Sequence, residues 1–387
     1  MLFVTLLVGS GSQSAYGVLL PVLEAEFGVS RVASSIVMLL YLIAVGLWNV
    51  LAGWFTGRFG SRRALYFGYV SLVFGFMVWS LSTQVLHLYL IHGVVISFGT
   101  VFLSLTVLSP MISHRFVRRS GLALGLVSTG FSLGQLVTPP ALAALTTVYE
   151  WRLALGYLGL AIGLVGLFTS AVVSLSESRV NSSVRDVDAG EQVPGSDAIK
   201  KAVYFSSAPY FVCGFTDFLI TTHLVAYATS FKIELTAAAL SLSLIGAFNI
   251  PALVVLGLFA DRVGAAPSLT VTYAIRFTSF LILLFADNLL TLYLFAAIFG
   301  LTYYTTAPLA AKLVFSGYGS RQGSKIYGLL VLLHMVGGAA GALFGGIIYD
   351  AYLSYQPAFL ISTALLATAV LISYYAQKIS ESRLVST

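Results

Sequence analysis

The sequence predicts an all-α integral membrane protein whose twelve transmembrane helices form two six-helix bundles related by a pseudo-two-fold axis. Three observations support this fold class: the composition, the number of apolar segments and an internal repeat. Of the 387 residues, 58% are hydrophobic and 9% are charged, whereas a soluble domain carries about 25% charged residues. So few charges cannot cover a surface that faces water, and the chain is therefore predicted to lie in a lipid bilayer.

Twelve segments are apolar enough and long enough to cross the hydrocarbon core, which takes about 20 residues of helix. The longest polar stretch follows the sixth segment and is rich in Ser, Asp, Val and Gly, as linkers are. The predicted organisation is an N-terminal bundle at 1–175, a cytoplasmic linker at 176–202 and a C-terminal bundle at 203–387. Numbered as spans 1 to 12, the segments fall near residues 2–23, 32–55, 64–84, 87–112, 120–146, 153–175, 203–230, 236–260, 266–286, 289–314, 324–349 and 355–377.

The basic residues are divided unevenly between the two sides of the membrane. With both termini on one side, the loops there hold sixteen of the 20 Lys and Arg residues, while the other side holds Arg31, Arg152 and Lys232. Because positively charged loops stay in the cytoplasm, both termini and the linker are predicted to lie on the cytoplasmic side of the plasma membrane. The net charge of +6 reflects this bias, and nucleic acid is not expected as a partner.

A short loop sequence occurs once in each half of the chain. Residues 53–63 read GWFTGRFGSRR and residues 257–264 read GLFADRVG, which share the frame Gly-x-x-x-x-Arg-x-Gly at an offset of 204, from Gly53 to Gly257. This loop repeat is the first of two internal similarities, which we call echoes, at nearly the same offset. Together they predict a duplicated six-helix unit, with a substrate site at mid-membrane between the halves. The second echo, at an offset of 203, consists of glycines spaced nine apart in spans 5 and 11: Gly125, Gly134, Gly328 and Gly337.

The two loops resemble the signature of the major facilitator superfamily, Gly-x-x-x-Asp-Arg-x-Gly followed by two basic residues in loop 2–3, with a weaker copy in loop 8–9. The segment RFVRRSGLALGLVSTG, from Arg115 to Gly130, is similar to the one that marks the monocarboxylate-transporter-like branch. Asn249 and Leu253 stand where animal members of that branch carry an acid and an arginine. The resemblance implies a twelve-helix secondary transporter.

The resemblance also implies a latch at the cytoplasmic face, where the loop 2–3 acid of the superfamily holds the halves closed through charge contacts. Gly57 stands in place of that acid, whereas Asp261 keeps the acid in the second copy. We therefore expect an asymmetric latch that depends more on Asp261 than on loop 2–3. The predicted latch residues are Arg58, Arg62, Arg63, Asp261 and Arg262.

Two charged residues lie well inside predicted spans, away from their ends: Asp217 in span 7 and Arg276 in span 9. An ionisable residue within a membrane is energetically unfavourable and is a functional hypothesis by default. Gln13 is the counterpart of Asp217 in span 1 at the offset of the loop repeat, and the resemblance places spans 1 and 7 at a central cavity. Asp217 could exchange a proton during transport or only hold helices together. Arg276 could pair with Asp217, extend toward the cytoplasm or bind substrate.

Other polar side chains within the spans are candidates for binding substrate or for ordinary contacts between helices. No His-x-x-x-His spacing indicates a metal site, no phosphate-binding loop indicates ATP, and no nucleophile–base set indicates an enzyme. No cofactor is therefore expected. The further candidates are Tyr16, Gln135, Asn249, Tyr303, Tyr304 and His334.

Together these patterns predict a secondary active transporter that works by alternating access and carries a small organic anion, resembling a monocarboxylate, by proton symport or by exchange. The expected partners are the small-molecule substrate, protons and the lipid bilayer, and one pair of bundles could act as a monomer. Proton-driven efflux of amphiphilic or drug-like compounds is the alternative, because the spans are aromatic and poor in charge. A membrane receptor that does not transport is a second alternative.

Overall fold

The computed structural model describes residues 2–115, 120–177 and 197–381. All regular secondary structure in that part of the chain is helical, which confirms the predicted fold class. A π-helical turn at Ile91–Ile96 separates α4 from α5. The α-helices are α1 Leu2–Phe27, α2 Arg31–Phe59, α3 Ser61–Ser80, α4 Val85–Leu90, α5 Ser97–Phe102, α6 Leu105–Arg115, α7 Ser120–Glu177, α8 Asp197–Ser230, α9 Leu235–Val263, α10 Ala265–Leu283, α11 Leu289–Gly300, α12 Thr306–Tyr352 and α13 Gln356–Glu381.

These helices make twelve membrane crossings. Within the described ranges, ten helices are long and apolar enough to span a membrane, with mean hydropathies of 1.2 or more. Helix α7 makes two crossings because its backbone kinks at Glu150, where φ is 66°. The tenth crossing consists of α11 and the first part of α12, which kinks at Gly319. Helix α8 begins at Asp197, inside the predicted linker, and residues 178–196 lie outside the described part, so the domain boundaries stay a prediction.

The turns between helices repeat at the predicted offset. Gly60 joins α2 to α3 with φ 84° and ψ 154°, and Gly264 joins α9 to α10 with φ 96° and ψ 165°. Positive φ values suit glycine, which has no Cβ to clash. Gly28 and its repeat equivalent Lys232 have φ values of 60° and 62° at the opposite end of the bundle. We call these two ends of the molecule the Gly60 end and the Gly28 end.

One pair of glycines from the second echo, Gly134 and Gly337, occupies equivalent places in helix packing. A Cβ at Gly134 of α7 would lie 2.2 Å from the carbonyl oxygen of Leu7 in α1. A Cβ at Gly337 of α12 would lie 2.3 Å from the carbonyl oxygen of Phe211 in α8, and Phe211 is the repeat equivalent of Leu7. Small residues at these crossings let the backbones approach closely. Gly328 has open space beside it and makes no such crossing.

The two halves meet along three pairs of helices: α1 with α8, α2 with α12, and α7 with α9. Gly17 of α1 packs so closely on α8 that an added Cβ would lie 2.1 Å from the carbonyl oxygen of Thr221. Asn249 of α9 accepts a hydrogen bond from the Ser132 hydroxyl of α7 at 2.8 Å. These contacts hold the halves together around the cavity described next.

Candidate functional site

A cavity of about 410 Å³ lies between the two halves. Helices α1, α2, α5, α6 and α7 line it from the first half, and α8 and α12 line it from the second. The lining also includes two places where a crossing is interrupted, at Leu103 and Ser104 and at Tyr303 and Tyr304. Irregular backbone at membrane depth is tolerated where it lines such a cavity. The interruptions occur in spans 4 and 10, which occupy equivalent positions in the repeat.

Five of the predicted site residues line this cavity. Gln13 and Asp217 face it from the equivalent helices α1 and α8, as the repeat offset predicts. Tyr303 and Tyr304 reach it from the interruption of the tenth crossing, and His334 reaches it from α12. The structure therefore brings together candidates that lie far apart in the chain.

Asp217 forms an ion pair with Arg276 at the edge of the cavity. Asp217 Oδ1 lies 2.9 Å from Arg276 Nη1, and the two side chains are 5% and 0% exposed. Asp217 lines the cavity, whereas the described lining does not include Arg276, which approaches from α10 behind it. The carboxylate thus faces the space where a ligand fits, and the guanidinium balances its charge from the protein side.

The interruption of the tenth crossing explains how the Arg276 guanidinium is held. Arg276 Nη2 donates hydrogen bonds to the carbonyl oxygens of Thr302 at 2.7 Å and Tyr303 at 3.3 Å. The Arg276 Nε donates to the Thr302 hydroxyl at 3.2 Å, and its Cζ lies 5.1 Å from the centre of the Phe299 ring. These carbonyls follow the end of α11 and lack their usual helical partners. Arg276 therefore holds the interrupted segment after α11 and balances Asp217 at the same time.

Cys213 and His334 complete the surroundings of the Asp217 carboxylate. Cys213 Sγ lies 3.4 Å from Asp217 Oδ2 and 2.9 Å from Arg276 Nη1. His334 Nε2 lies 3.8 Å from Asp217 Oδ2, and its Nδ1 lies 3.3 Å from the carbonyl oxygen of Tyr210. The ligand atoms of Cys213, Asp217 and His334 lie within 4.8 Å of one another. The Arg276 guanidinium already supplies the positive charge at this cluster, so we assign no metal to it.

Three other predicted residues lie at helix contacts away from the lining. Tyr16 is fully buried inside the first half, where its hydroxyl donates to the carbonyl oxygen of Ser34 at 2.5 Å. Asn249 joins the halves through Ser132 and also donates to the carbonyl oxygen of Gly300 at 3.1 Å. Gln135 is 2% exposed on α7, beside Tyr303. Asn249 and Gln135 therefore lie at contacts that would change if the two halves moved relative to each other.

Asp350, near the end of α12, makes a contact between the halves that closes the Gly28 end. Its carboxylate accepts hydrogen bonds from the backbone N–H groups of Arg31 at 3.0 Å and Val32 at 2.8 Å. These are the first residues of α2, whose N-terminus carries a partial positive charge. An acid of the second half thus caps a helix of the first half, which is a charge-assisted and well-directed interaction.

The Arg31 side chain adds a second set of contacts at the same end. Its guanidinium pairs with Glu24 at 2.7 Å within the first half and lies 4.2 Å from the centre of the Tyr349 ring in the second. It also donates a hydrogen bond to the Tyr355 hydroxyl, which lies 3.0 Å from His223 Nδ1. We call Glu24, Arg31, Asp350 and Tyr355 the Arg31 cluster.

At the Gly60 end, two of the predicted latch residues, Asp261 and Arg58, contact residues of their own halves. Asp261 Oδ1 lies 2.6 Å from Lys312 Nζ, in the second half. The Arg58 guanidinium lies 5.8 Å from the Trp54 ring and 5.7 Å from the Phe59 ring, in the first half. The side chains of Arg62, Arg63 and Arg262 are exposed. Residues 116–119 of the segment that resembles monocarboxylate transporters lie outside the described part of the chain.

Sequence reasoning missed two groups of residues at the site. The first is the Arg31 cluster, whose charges look like ordinary charges at the membrane surface in sequence. The second is a set of aromatic residues that line the cavity: Tyr41, Phe131, Tyr210, Phe218 and Tyr327. With 21 Tyr and 27 Phe in the chain, no spacing distinguishes these five. One signal in the sequence marks Asp350, because it is an acid directly after span 11.

Comparison with known proteins agrees with this architecture. The family model described as Major Facilitator Superfamily matches residues 2–323 and 207–386. An uncharacterised MFS-type transporter of Bacillus subtilis (strain 168), YcxA, is 25% identical over 342 residues, which cover 86% of this chain and 82% of that protein. Monocarboxylate transporter 13 of Bos taurus is 26% identical over 80% of this chain and 72% of its own. The crystal structure of a bacterial homologue of the human lysosomal transporter Spinster superimposes with a TM-score of 0.74 at 12% identity, covering 98% of this chain and 96% of that one.

Proposed function

The chain belongs to the major facilitator superfamily and is a membrane transporter rather than an enzyme, and we propose that it moves a small organic anion together with a proton, or exchanges such anions, by alternating access. The observation that carries the proposal is the Asp217–Arg276 ion pair at the edge of the central cavity. The similarity to monocarboxylate transporters supports an anionic substrate.

Charge balance at the ion pair links proton binding to anion binding. In the empty cavity, Asp217 and Arg276 neutralise each other across 2.9 Å. A carboxylate entering the cavity would meet the Asp217 carboxylate first, and like charges repel strongly away from water. A proton on Asp217 removes this repulsion and leaves the positive charge of Arg276 unbalanced, which attracts the anion. The site is then neutral both when it is empty and when it holds one proton and one carboxylate.

The contacts between the halves support alternating access. The Arg31 cluster and the Gly17–Thr221 crossing close the Gly28 end, and the cavity lies on the other side of them. The excess of basic residues in the loops of the Gly60 end favours a cytoplasmic position for that end. The structure then corresponds to a state closed toward the outside. Transport requires the Arg31 cluster to separate while the Gly60 end closes.

The remaining features of the proposal concern topology and the latch. Both termini and the linker at 176–202 lie on the cytoplasmic side of the plasma membrane, and the protein works as a monomer. In the outward-open state, Asp261, which Arg262 follows in loop 8–9, leaves Lys312 and contacts the basic residues of loop 2–3. Gly57 makes this latch asymmetric, because the first half has no acid there to return the contact.

Efflux of an amphiphilic compound is the second candidate, and the composition of the cavity favours it. Among the described lining residues, Asp217 is the single Asp, Glu, Lys or Arg. An acid in an otherwise apolar and aromatic cavity can also bind a lipophilic cation. Such a substrate would displace a proton from Asp217, so that proton entry would drive export.

The two candidates are separated by transport in proteoliposomes under an imposed pH gradient. Proton–anion symport predicts that radiolabelled carboxylates accumulate on the alkaline side and that a lipophilic cation does not. Efflux by proton exchange predicts that the cation accumulates on the acidic side and that carboxylate flux stays at the level of empty liposomes. The second result would refute the anion proposal.

A further inference from the structure

We infer that the cavity selects aromatic carboxylic acids, with a planar ring bound against the tyrosines of the lining, over short aliphatic acids. This inference rests on the proposed function and specifies its substrate class. Seven of the 26 described lining residues are Phe or Tyr, which is about twice their share in the chain, where all aromatic residues together make up 13%. The enrichment lies where a ligand would touch the protein.

The size of the cavity excludes a close fit to a very small acid. Its volume of about 410 Å³ lies within the range of roughly 300–1,000 Å³ that is typical of pockets for drug-sized ligands. An acid of three carbon atoms would leave most of this space to water and would make few apolar contacts. A ring with a short carboxylate arm fills more of the volume and can still reach Asp217.

The aromatic side chains are placed to contact a flat ring. Phe131 of α7 and Tyr304 of the second half form an offset stack across the two halves, with ring centres 4.5 Å apart and planes 21° apart. Both side chains line the cavity and are partly exposed. A substrate ring can extend this stack, and aromatic pairs of this kind attract each other beyond the area they bury.

The polar groups are placed to receive the carboxylate and polar ring substituents. Five of the aromatic lining residues are tyrosines, each of which combines an apolar face with a hydroxyl. The centres of the Tyr210 and His334 rings lie 4.9 Å apart. The aromatic part of the lining is therefore next to the contact between His334 and Asp217. A ligand with a ring at one end and a carboxylate at the other matches this arrangement. The matching tyrosines are Tyr41, Tyr210, Tyr303, Tyr304 and Tyr327.

The test compares the affinities of the purified full-length protein for four probes at mildly acidic pH. The probes are 3-phenylpropionate, its saturated counterpart 3-cyclohexylpropionate, lactate, and 3-phenylpropanol, which keeps the ring and lacks the carboxylate. We expect 3-phenylpropionate to bind about 3- to 10-fold more tightly than 3-cyclohexylpropionate, as one or two aromatic contacts would provide. Lactate should bind more weakly than either. Equal affinities for the two ring compounds, or tighter binding of lactate, would overturn the inference.

Variants at Tyr304 test whether this residue makes the contact that favours an aromatic ring. Tyr304→Leu should remove the preference for the aromatic over the saturated acid, while Tyr304→Phe and Tyr374→Leu, an exposed tyrosine on α13, should keep it. Persistence of the preference in Tyr304→Leu would contradict the assigned contact. If 3-phenylpropanol binds as tightly as 3-phenylpropionate, the preference for an aromatic ring is kept, whereas the anion proposal, and with it the selection of acids, fails. If carboxylates bind without regard to the ring, the anion proposal stands and the aromatic inference fails.

Discussion

Asp217 and Arg276 form a buried ion pair in which the acid lines the central cavity and the arginine does not, with Oδ1 and Nη1 2.9 Å apart. Arg276 is fixed by the Thr302 and Tyr303 carbonyl groups, which the interrupted tenth crossing leaves without helical partners. The acid is thus the partner that a ligand or proton can reach. This asymmetry is the basis of the proposed coupling.

Replacing Asp217 with asparagine should abolish coupled accumulation and preserve exchange. Asparagine resembles the protonated acid in shape and charge, so the site can bind an anion but can no longer release a proton. In proteoliposomes, uphill uptake driven by a pH gradient should fall to the level of empty liposomes, while counterflow of labelled substrate continues. Asp287→Asn, an exposed acid at the Gly28 end, is the control. Undiminished accumulation in Asp217→Asn would remove this acid from the mechanism.

Removing Arg276 should destabilise the protein more than removing both members of the pair. Arg276→Gln leaves Asp217 as an unbalanced buried acid, and breaking a buried pair in this way typically lowers stability by about 3–5 kcal/mol. In Asp217→Asn/Arg276→Gln no lone charge remains, so part of the loss should be recovered. The thermal unfolding midpoints of the three variants measure this coupling. A double variant whose loss equals the sum of the single losses would show that the charges do not interact.

Removing the Asp350 carboxylate should open the Gly28 end. Asp350→Ala removes the carboxylate cap from the second half and leaves the Ser30 cap of α2 in place. Loss of a capping side chain is worth about 1–2 kcal/mol and shifts a two-state population roughly 5- to 30-fold. Spin labels at Thr83 and Asp287, exposed positions on the two halves at this end, should report a longer separation. Gln356→Ala is the matched control, because Gln356 bonds to Leu284 within one half. An unchanged distance distribution in Asp350→Ala would argue against this cap as a gate.

Restoring the acid at Gly57 should favour the outward-open state. A Cβ at this exposed position meets no heavy atom within 4 Å, so Gly57→Asp can be accommodated. The new acid completes the latch at the Gly60 end, and the labels at Thr83 and Asp287 should move apart. Gly57→Asn tests whether the charge is responsible, because it adds a side chain of similar size. The latch hypothesis fails if Gly57→Asp and Gly57→Asn give the same distances as the wild type.

Much of the fold could be predicted from the sequence because the protein is surrounded by a lipid bilayer. A bilayer requires long apolar helices, so the twelve crossings and the repeat could be predicted from hydropathy and from the paired loops at Gly60 and Gly264. The same reasoning identified Asp217 and Arg276, because charges inside apolar segments are conspicuous. The repeat offset placed Gln13 opposite Asp217, and both line the cavity.

Features that depend on three-dimensional side-chain geometry could not be predicted in this way. The contact between Asp217 and Arg276 depends on the geometry of the interruption after Gly300, which hydropathy does not predict, although Pro308 lies in the first turn of the helix that follows. The cap of α2 by Asp350 joins residues from opposite ends of the chain, and each looks like an ordinary charge at a helix end. The aromatic lining of the cavity depends on which faces of α2, α8 and α12 turn inward, and these helices are apolar on every side.

The most direct test of the central claim is whether transport moves net charge. Uptake of radiolabelled 3-phenylpropionate and lactate into proteoliposomes can be measured with the pH gradient and the membrane potential set independently, using potassium gradients and valinomycin. The proposed balance between Asp217, Arg276, one proton and one carboxylate predicts that uptake of the transported acid increases with the proton gradient and does not respond to the potential. Carboxylate uptake that follows the potential and ignores the proton gradient would contradict it.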